Sequence, residues 1–137
     1  MDRGELVRLA LEAREKAYTP YSHFKVGAAL LTKEGKVYQG CNIENAAYSP
    51  TNCAERTAFF KAVSEGEYHF EAIAIVGGAE GAKELGICAP CGVCRQVMME
   101  FCDPETFEII MASTPEEYKI MTLKELFPMG FGPADLA

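Results

Sequence analysis

Tryptophan is missing from this chain of 137 residues, histidine occurs twice, and basic residues are scarce. The 13 Lys and Arg set against 20 Asp and Glu leave a net charge of −7. That balance opposes binding to a polyanion, because phosphate backbones are held chiefly by clustered cations. No nucleic acid polymer is therefore expected as a partner, and a small substrate fits better. No apolar run approaches the roughly 18 residues that cross a bilayer, so no membrane partner is expected either. The opening Met1-Asp2-Arg3-Gly4-Glu5 lacks the basic start and apolar stretch of an export signal, and the expected location is cytoplasmic. In a reducing compartment, six cysteines point to metal binding or catalysis rather than to disulfides, with Cys41, Cys88 and Cys102 as free thiols. Repeats, low-complexity tracts and linkers are also absent. A chain of this length buries a core without covalent staples, and residues 1–137 read as one domain.

What is present alternates between helical and strand patterns. Over residues 3–17, Leu6, Leu9, Ala10, Ala13 and Ala17 recur at helical spacing, and Thr19-Pro20 ends the pattern. Residues 26–32 form an apolar run, Lys33-Glu34-Gly35-Lys36 a turn, and residues 37–41 a shorter run, which together read as a hairpin. Residues 42–52, holding Asn42, Asn45, Pro50 and Asn52, read as an irregular loop. A helix over 53–65 presents Ala58, Phe59, Ala62 and Val63 on its apolar face and stops at Gly66. Residues 73–76 read as a strand covered on both faces, followed by a long Gly-rich connection over 77–89. A helix over 91–101 turns Val97, Met98 and Phe101 to the core, and residues 107–112 return as a strand, completing a βαβ unit. A last strand over 118–121 leads to a short helix capped by Thr122 and Glu125. The expected class is α/β, a mixed sheet of about five strands covered by helices, with ligands beside helix N-termini at strand ends.

Both cysteine motifs open helical patterns: Thr51-Asn52-Cys53-Ala54-Glu55-Arg56 and Pro90-Cys91-Gly92-Val93-Cys94-Arg95-Gln96. Cys91 and Cys94 share one face of a helical first turn and suit one metal ion. Cys53 is the best third thiolate, since it too stands where a loop gives way to a helix and the helix N-terminus favours an anion. Three protein ligands leave one position open, the mark of catalytic zinc. Arg56, on the Cys53 face of its helix, is placed to moderate the thiolates, with Arg95 a weaker candidate. By the period of 3.6 residues, Glu55 lies about 200° round the helix from Cys53, away from the ligand face. It is placed to exchange protons with a zinc-activated water. Blander readings stand beside these. Cys91 and Cys94 alone equally suit a structural zinc knuckle or a redox pair. Glu55 alone is a favourable charge at a helix start, and Arg56 alone an exposed helix residue. Phe24, Tyr48 and Phe131 singly suit a core or interface, and His23 and His69 look like surface residues. Cys53 together with Glu55 tips the balance towards catalysis.

These motifs resemble those of the cytidine deaminases of the short, homotetrameric, three-cysteine type. The likeness extends to Pro20-Tyr21-Ser22-His23-Phe24, to Gly40-Cys41-Asn42-Ile43-Glu44-Asn45-Ala46 and to Phe127-Pro128-Met129-Gly130-Phe131. It implies a three-layer sandwich, one Zn²⁺ per subunit on Cys53, Cys91 and Cys94, and hydrolysis of cytidine or 2′-deoxycytidine to uridine or deoxyuridine and ammonia in pyrimidine salvage. In that family's mechanism Glu55 carries protons to N3 and to the departing amine. Phe24 packs beside the nucleoside, Asn42 and Glu44 bind the ribose hydroxyl, and the backbone N–H of Ala54 contacts the base edge. Phe131 stacks on the pyrimidine of a neighbouring subunit, and Tyr48 lies at the same boundary. The 77–89 connection looks longer than in many relatives and brings Cys88 near the metal cysteines, but Pro90 and the spacing to Cys94 favour Cys91 as the ligand. Three alternatives remain. A blasticidin-S-type nucleoside antibiotic deaminase shares the cysteine motifs, although Asn42-Ile43-Glu44 favours cytidine. A thioredoxin-like CxxC redox protein leaves Cys53 and Glu55 without a role and has no tryptophan before its cysteine pair. The third is a non-catalytic, zinc-stabilised binding module.

Overall fold

Alternation of side chains across the strands divides the core in two. In the computed structural model, which describes residues 1–136, the elements run α1 (Arg3–Arg14), β1 (Phe24–Thr32), β2 (Val37–Cys41), α2 (Ala54–Ser64), β3 (Phe70–Ala79), α3 (Gly92–Phe101), β4 (Glu108–Thr114), β5 (Glu117–Thr122) and α4 (Leu123–Leu126), followed by a 3₁₀ turn at Pro133–Asp135. The sheet order is β2-β1-β3-β4-β5. β3 and β4 pair in parallel across α3, and the other neighbours are antiparallel. On one face Ile73 and Ile75 of the central strand pack with Ala28, Leu30, Phe59, Met98 and Phe107 beneath α2, α3 and α4. On the other, Ala74 and Val76 pack with Leu6, Val7 and Ala10 of α1. Each large apolar side chain withdrawn in this way contributes roughly 1.5–3 kcal/mol. The result is the expected three-layer α/β sandwich with a mixed five-stranded sheet. Among the described residues no helix is long and apolar enough to cross a membrane.

Two glycines let the helices settle on the hairpin. A Cβ at Gly27 would lie 2.1 Å from the Ala10 carbonyl oxygen of α1, and one at Gly40 would lie 2.3 Å from the Ala54 carbonyl oxygen of α2. Gly40 pairs with Ala28, next to Gly27, so the two contacts sit side by side on opposite faces of the sheet. The second contact fixes the height of α2, and with it the loop-to-helix junction at Cys53.

Several boundaries differ from expectation. α1 ends at Arg14 rather than running to residue 17, because the Arg14 guanidinium turns inward and donates to the carbonyls of Lys25, Gly78 and Ala79. The chain beyond it pairs instead with the loop after β2, with Tyr18 N–H donating to Asn42 O and Glu44 N–H to Tyr18 O. β3 extends to Ala79, so Gly77 and Gly78 belong to the strand rather than to the connection. They pair there with Val26 and Lys25, while Cys88 and Leu85 lie against them. The loop over 42–52 is tied by a bridge between Ile43 and Asn52, which returns the chain to Cys53.

Candidate active site

The N-termini of α2 and α3 meet at one end of the sheet. Cys53 and Cys91 are the respective N-caps, with extended backbones at φ −74°, ψ 156° and φ −68°, ψ 168°. Cys94 follows inside α3 and is buried. The Cys53 and Cys91 sulfurs are 3.8 Å apart, those of Cys91 and Cys94 3.5 Å, and all three lie within 4.8 Å of one another. Sulfurs each about 2.3 Å from a tetrahedral zinc stand about 3.8 Å apart, so the donor set and its spacing fit that ion. Three thiolates leave a fourth position for water or substrate.

The charge of these sulfurs is already offset. Hydrogen bonding with Cys94 draws the Cys53 thiol down to about 5 against the effect of burial, and Arg56 adds to the fall through an Nη2 only 3.3 Å from Sγ. Cys94 is pushed up in turn by the same hydrogen bond and by burial. Both helix N-termini lend partial positive charge to their capping sulfurs. Arg95 is turned elsewhere, its Nε donating to Pro90 O and its Nη1 to Leu126 O, so it clamps the C-terminal segment to α3.

Glu55 stands outside the sulfur cluster yet opens into the same cavity. The helical period placed it on the far side from Cys53, but Cys53 is a cap with extended backbone, so that period does not relate the two. The Glu55 carboxyl is only 4% exposed, and burial raises its pKa to about 7. A carboxyl poised there both accepts and returns a proton near neutral pH. The cavity, about 210 Å³, brings Cys53, Ala54, Glu55 and Cys91 together with Asn42, Val26 and Cys88. Asn42 is locked against β1, its Oδ1 accepting from Val26 N–H and its Nδ2 donating to Phe24 O, both at 2.8 Å. Through the second bond it also steadies Phe24, the first residue of β1.

Thr51 lines both this cavity and an adjoining hollow of about 360 Å³, whose other walls are Tyr21, Ser22, Glu44 and Tyr48. Glu44 accepts from the N–H groups of Tyr21 and Ser22 and from the Ser22 hydroxyl, which holds its carboxyl below the usual range. Tyr48 has a left-handed backbone, φ 62°, and meets Tyr21 edge to face at 6.1 Å. Phe131 lies apart from both. It is 56% exposed over a separate hollow with Gln96, Glu100 and Leu136, and its carbonyl accepts from Gln96 Nε2 at 2.8 Å.

Sequence reasoning did not single out Ser22, Thr51 or Val26. Ser22 and Thr51 fall inside the sequence motifs, two residues from Phe24 and from Cys53, while Val26 reads only as the start of a strand. Cys88, set aside as a ligand, remains outside the sulfur cluster while lining the cavity wall, where burial pushes its thiol up to about 11 and keeps it neutral.

A buried carboxylate beside three convergent thiols at two helix starts defines a hydrolytic metal site. The family described as "Cytidine and deoxycytidylate deaminase zinc-binding region" matches residues 2–110. A cytidine deaminase of Sporosarcina psychrophila is 48% identical over 137 residues, covering 100% of this chain and 96% of that protein. The crystal structure of a cytidine deaminase from Burkholderia pseudomallei superposes with a TM-score of 0.86 at 47% identity, covering 96% of this chain and 100% of that one. A blasticidin-S deaminase of Bacillus cereus is more distant, 32% identical over 130 residues, covering 93% of this chain and 90% of that protein. The chain belongs to the cytidine deaminase family, and its three-cysteine centre is that family's zinc-binding site.

Proposed function

We propose that this protein is a cytoplasmic enzyme of pyrimidine salvage that hydrolyses cytidine and 2′-deoxycytidine to uridine, deoxyuridine and ammonia, working as a homotetramer with one zinc per chain. The observation that carries the reading is the convergence of the Cys53, Cys91 and Cys94 sulfurs at the edge of a cavity that Cys53 and Cys91 line together with the buried Glu55. Cys53, Cys91 and Cys94 would hold the ion, which when bound lowers the pKa of water to about 7 and so supplies a nucleophile.

The chain's own groups do the rest. Glu55, with its carboxyl raised to about 7, takes a proton from the nucleophile and delivers it to N3 of the pyrimidine. It then takes the remaining proton from the hydroxyl added at C4 and hands it to the exocyclic amine, so the C4–N bond breaks, ammonia leaves, and the water oxygen stays on the ring as the carbonyl. The backbone N–H of Ala54 meets the base edge. Asn42, rigidly held by β1, and Glu44, held by the turn at Tyr21 and Ser22, receive the ribose hydroxyl, with Phe24 packed beside the nucleoside. Arg56 tempers the charge on Cys53. Phe131 serves the site of an adjacent subunit, consistent with its exposure over a separate hollow, and Tyr48, exposed at the rim of the Glu44 hollow, lies at that boundary. A thioredoxin-like exchange would need only Cys91 and Cys94, and it leaves unexplained why Cys53 closes to 3.8 Å beside a buried carboxyl.

The test is turnover of cytidine against cytidine 5′-monophosphate, followed by absorbance and by ammonia release. No Lys or Arg lines the Glu44 hollow, and the chain is acidic, so a 5′-phosphate finds no counter-charge there. Conversion of the nucleoside and not the nucleotide is expected. Comparable rates on both would contradict the assignment of substrate class.

A further inference from the structure

We propose that Ser22 is a positioning residue for nucleoside binding, its hydroxyl joining the Glu44 carboxylate to the start of β1 so that the ribose acceptor and Phe24 are held as one unit. The inference rests on the reading of Glu44 as the ribose contact. Its basis is a pair of hydrogen bonds made by a single oxygen: Ser22 Oγ donates to Glu44 Oε2 and accepts from the Phe24 N–H at 3.0 Å. Between them His23 holds a left-handed backbone, φ 57°, which is unfavourable for a non-glycine residue and persists only where surrounding contacts fix it.

The Ser22 backbone contributes as well. Its N–H donates to Glu44 Oε1 at 3.1 Å, beside that of Tyr21 at 3.0 Å, so both carboxylate oxygens are engaged by one turn. A carboxylate on a flexible glutamate stem loses rotamer freedom when it binds a hydroxyl. Glu44 is already fixed by the turn, and each oxygen keeps further lone pairs for the ligand. His23 is the titratable neighbour on the same turn, Tyr21 and Tyr48 are the phenols facing Glu44, and no Lys or Arg shares the hollow.

The experiment is a double-mutant cycle of Ser22→Ala and Glu44→Gln, read as kcat and KM for cytidine with thermal melting as the control for folding. A lost hydrogen bond to a charged group predicts a rise in KM on the order of tenfold for Ser22→Ala with kcat little changed. In the Glu44→Gln background the same substitution adds almost nothing, and Ser22→Thr restores binding. The Ser22→Ala pH profile provides a second readout. Without the hydroxyl the Glu44 carboxyl protonates at higher pH, so KM climbs sooner as the solution is acidified than it does in the parent. Should the alanine variant fail to fold, Ser22→Cys replaces the hydroxyl with a weak donor of similar size and predicts the same rise. A normal KM in the Ser22 variants with a raised one in Glu44→Gln overturns the inference, as does full additivity in the cycle. An unchanged KM in Glu44→Gln instead overturns the ribose assignment, and the inference with it.

Discussion

Glu55 is almost wholly buried with no ion pair among the described residues, and burial above all sets its acid–base range, against smaller opposing effects of hydrogen bonds and Arg56. An amide of the same shape keeps the packing and removes the proton exchange. Glu55→Gln is therefore expected to retain zinc and melt normally while losing at least about 10²-fold in turnover, read by steady-state rates beside metal analysis. Near-parental turnover with zinc present would assign the proton transfers to another group. The thiols at this scale were legible in the sequence, because the spacing of Cys91 and Cys94 and the helix start at Cys53 are local features. Ser22 was not, since its partner Glu44 is 22 positions away and only the fold brings them together. The relation of Glu55 to Cys53 was not legible from the helical period for a related reason. A periodicity argument assumes both residues are helical, and Cys53 caps the helix from outside it.

At the scale of elements, the metal site depends on how closely α2 approaches β2. A methyl group at Gly40 would meet the Ala54 carbonyl at 2.3 Å and the Ala58 backbone nitrogen at 2.6 Å, so α2 must lift and carry Cys53 with it. Gly40→Ala should lower stability by roughly 1–3 kcal/mol in urea denaturation and weaken zinc retention against a chelator. Gly86→Ala, with open space around the new carbon, should do neither. Zinc retention unaffected in a destabilised Gly40→Ala protein would uncouple the helix height from the site. Element types and order were readable from periodicity and turn residues, including the doubly buried central strand. The ends were not: α1 stops where Arg14 finds three carbonyls on β1 and β3, and β3 continues through two glycines covered by Cys88 and Leu85. Both outcomes are tertiary contacts that overrule local propensity.

For the whole molecule, the proposed tetramer gives the exposed Phe131, which lies over a hollow separate from its own chain's cavity, a role in a neighbouring subunit's site. Stacking on a neighbour's pyrimidine is worth about 1 kcal/mol beyond simple burial. Phe131→Ala and Glu55→Ala chains should then complement each other, because a mixed oligomer contains sites drawing Glu55 from one and Phe131 from the other. Co-refolded protein should exceed the summed activity of its parents, and no gain in oligomers shown by native mass spectrometry to be mixed would place Phe131 outside the site. The central claim is that the three thiols hold a zinc ion on which deamination of cytidine depends. Its most direct measurement strips the protein with a chelator, restores zinc in sub-stoichiometric steps, and follows cytidine turnover at each step. Turnover should rise in proportion to bound zinc and level off at one ion per chain. Undiminished turnover in the stripped protein, or full zinc with no turnover, would contradict it.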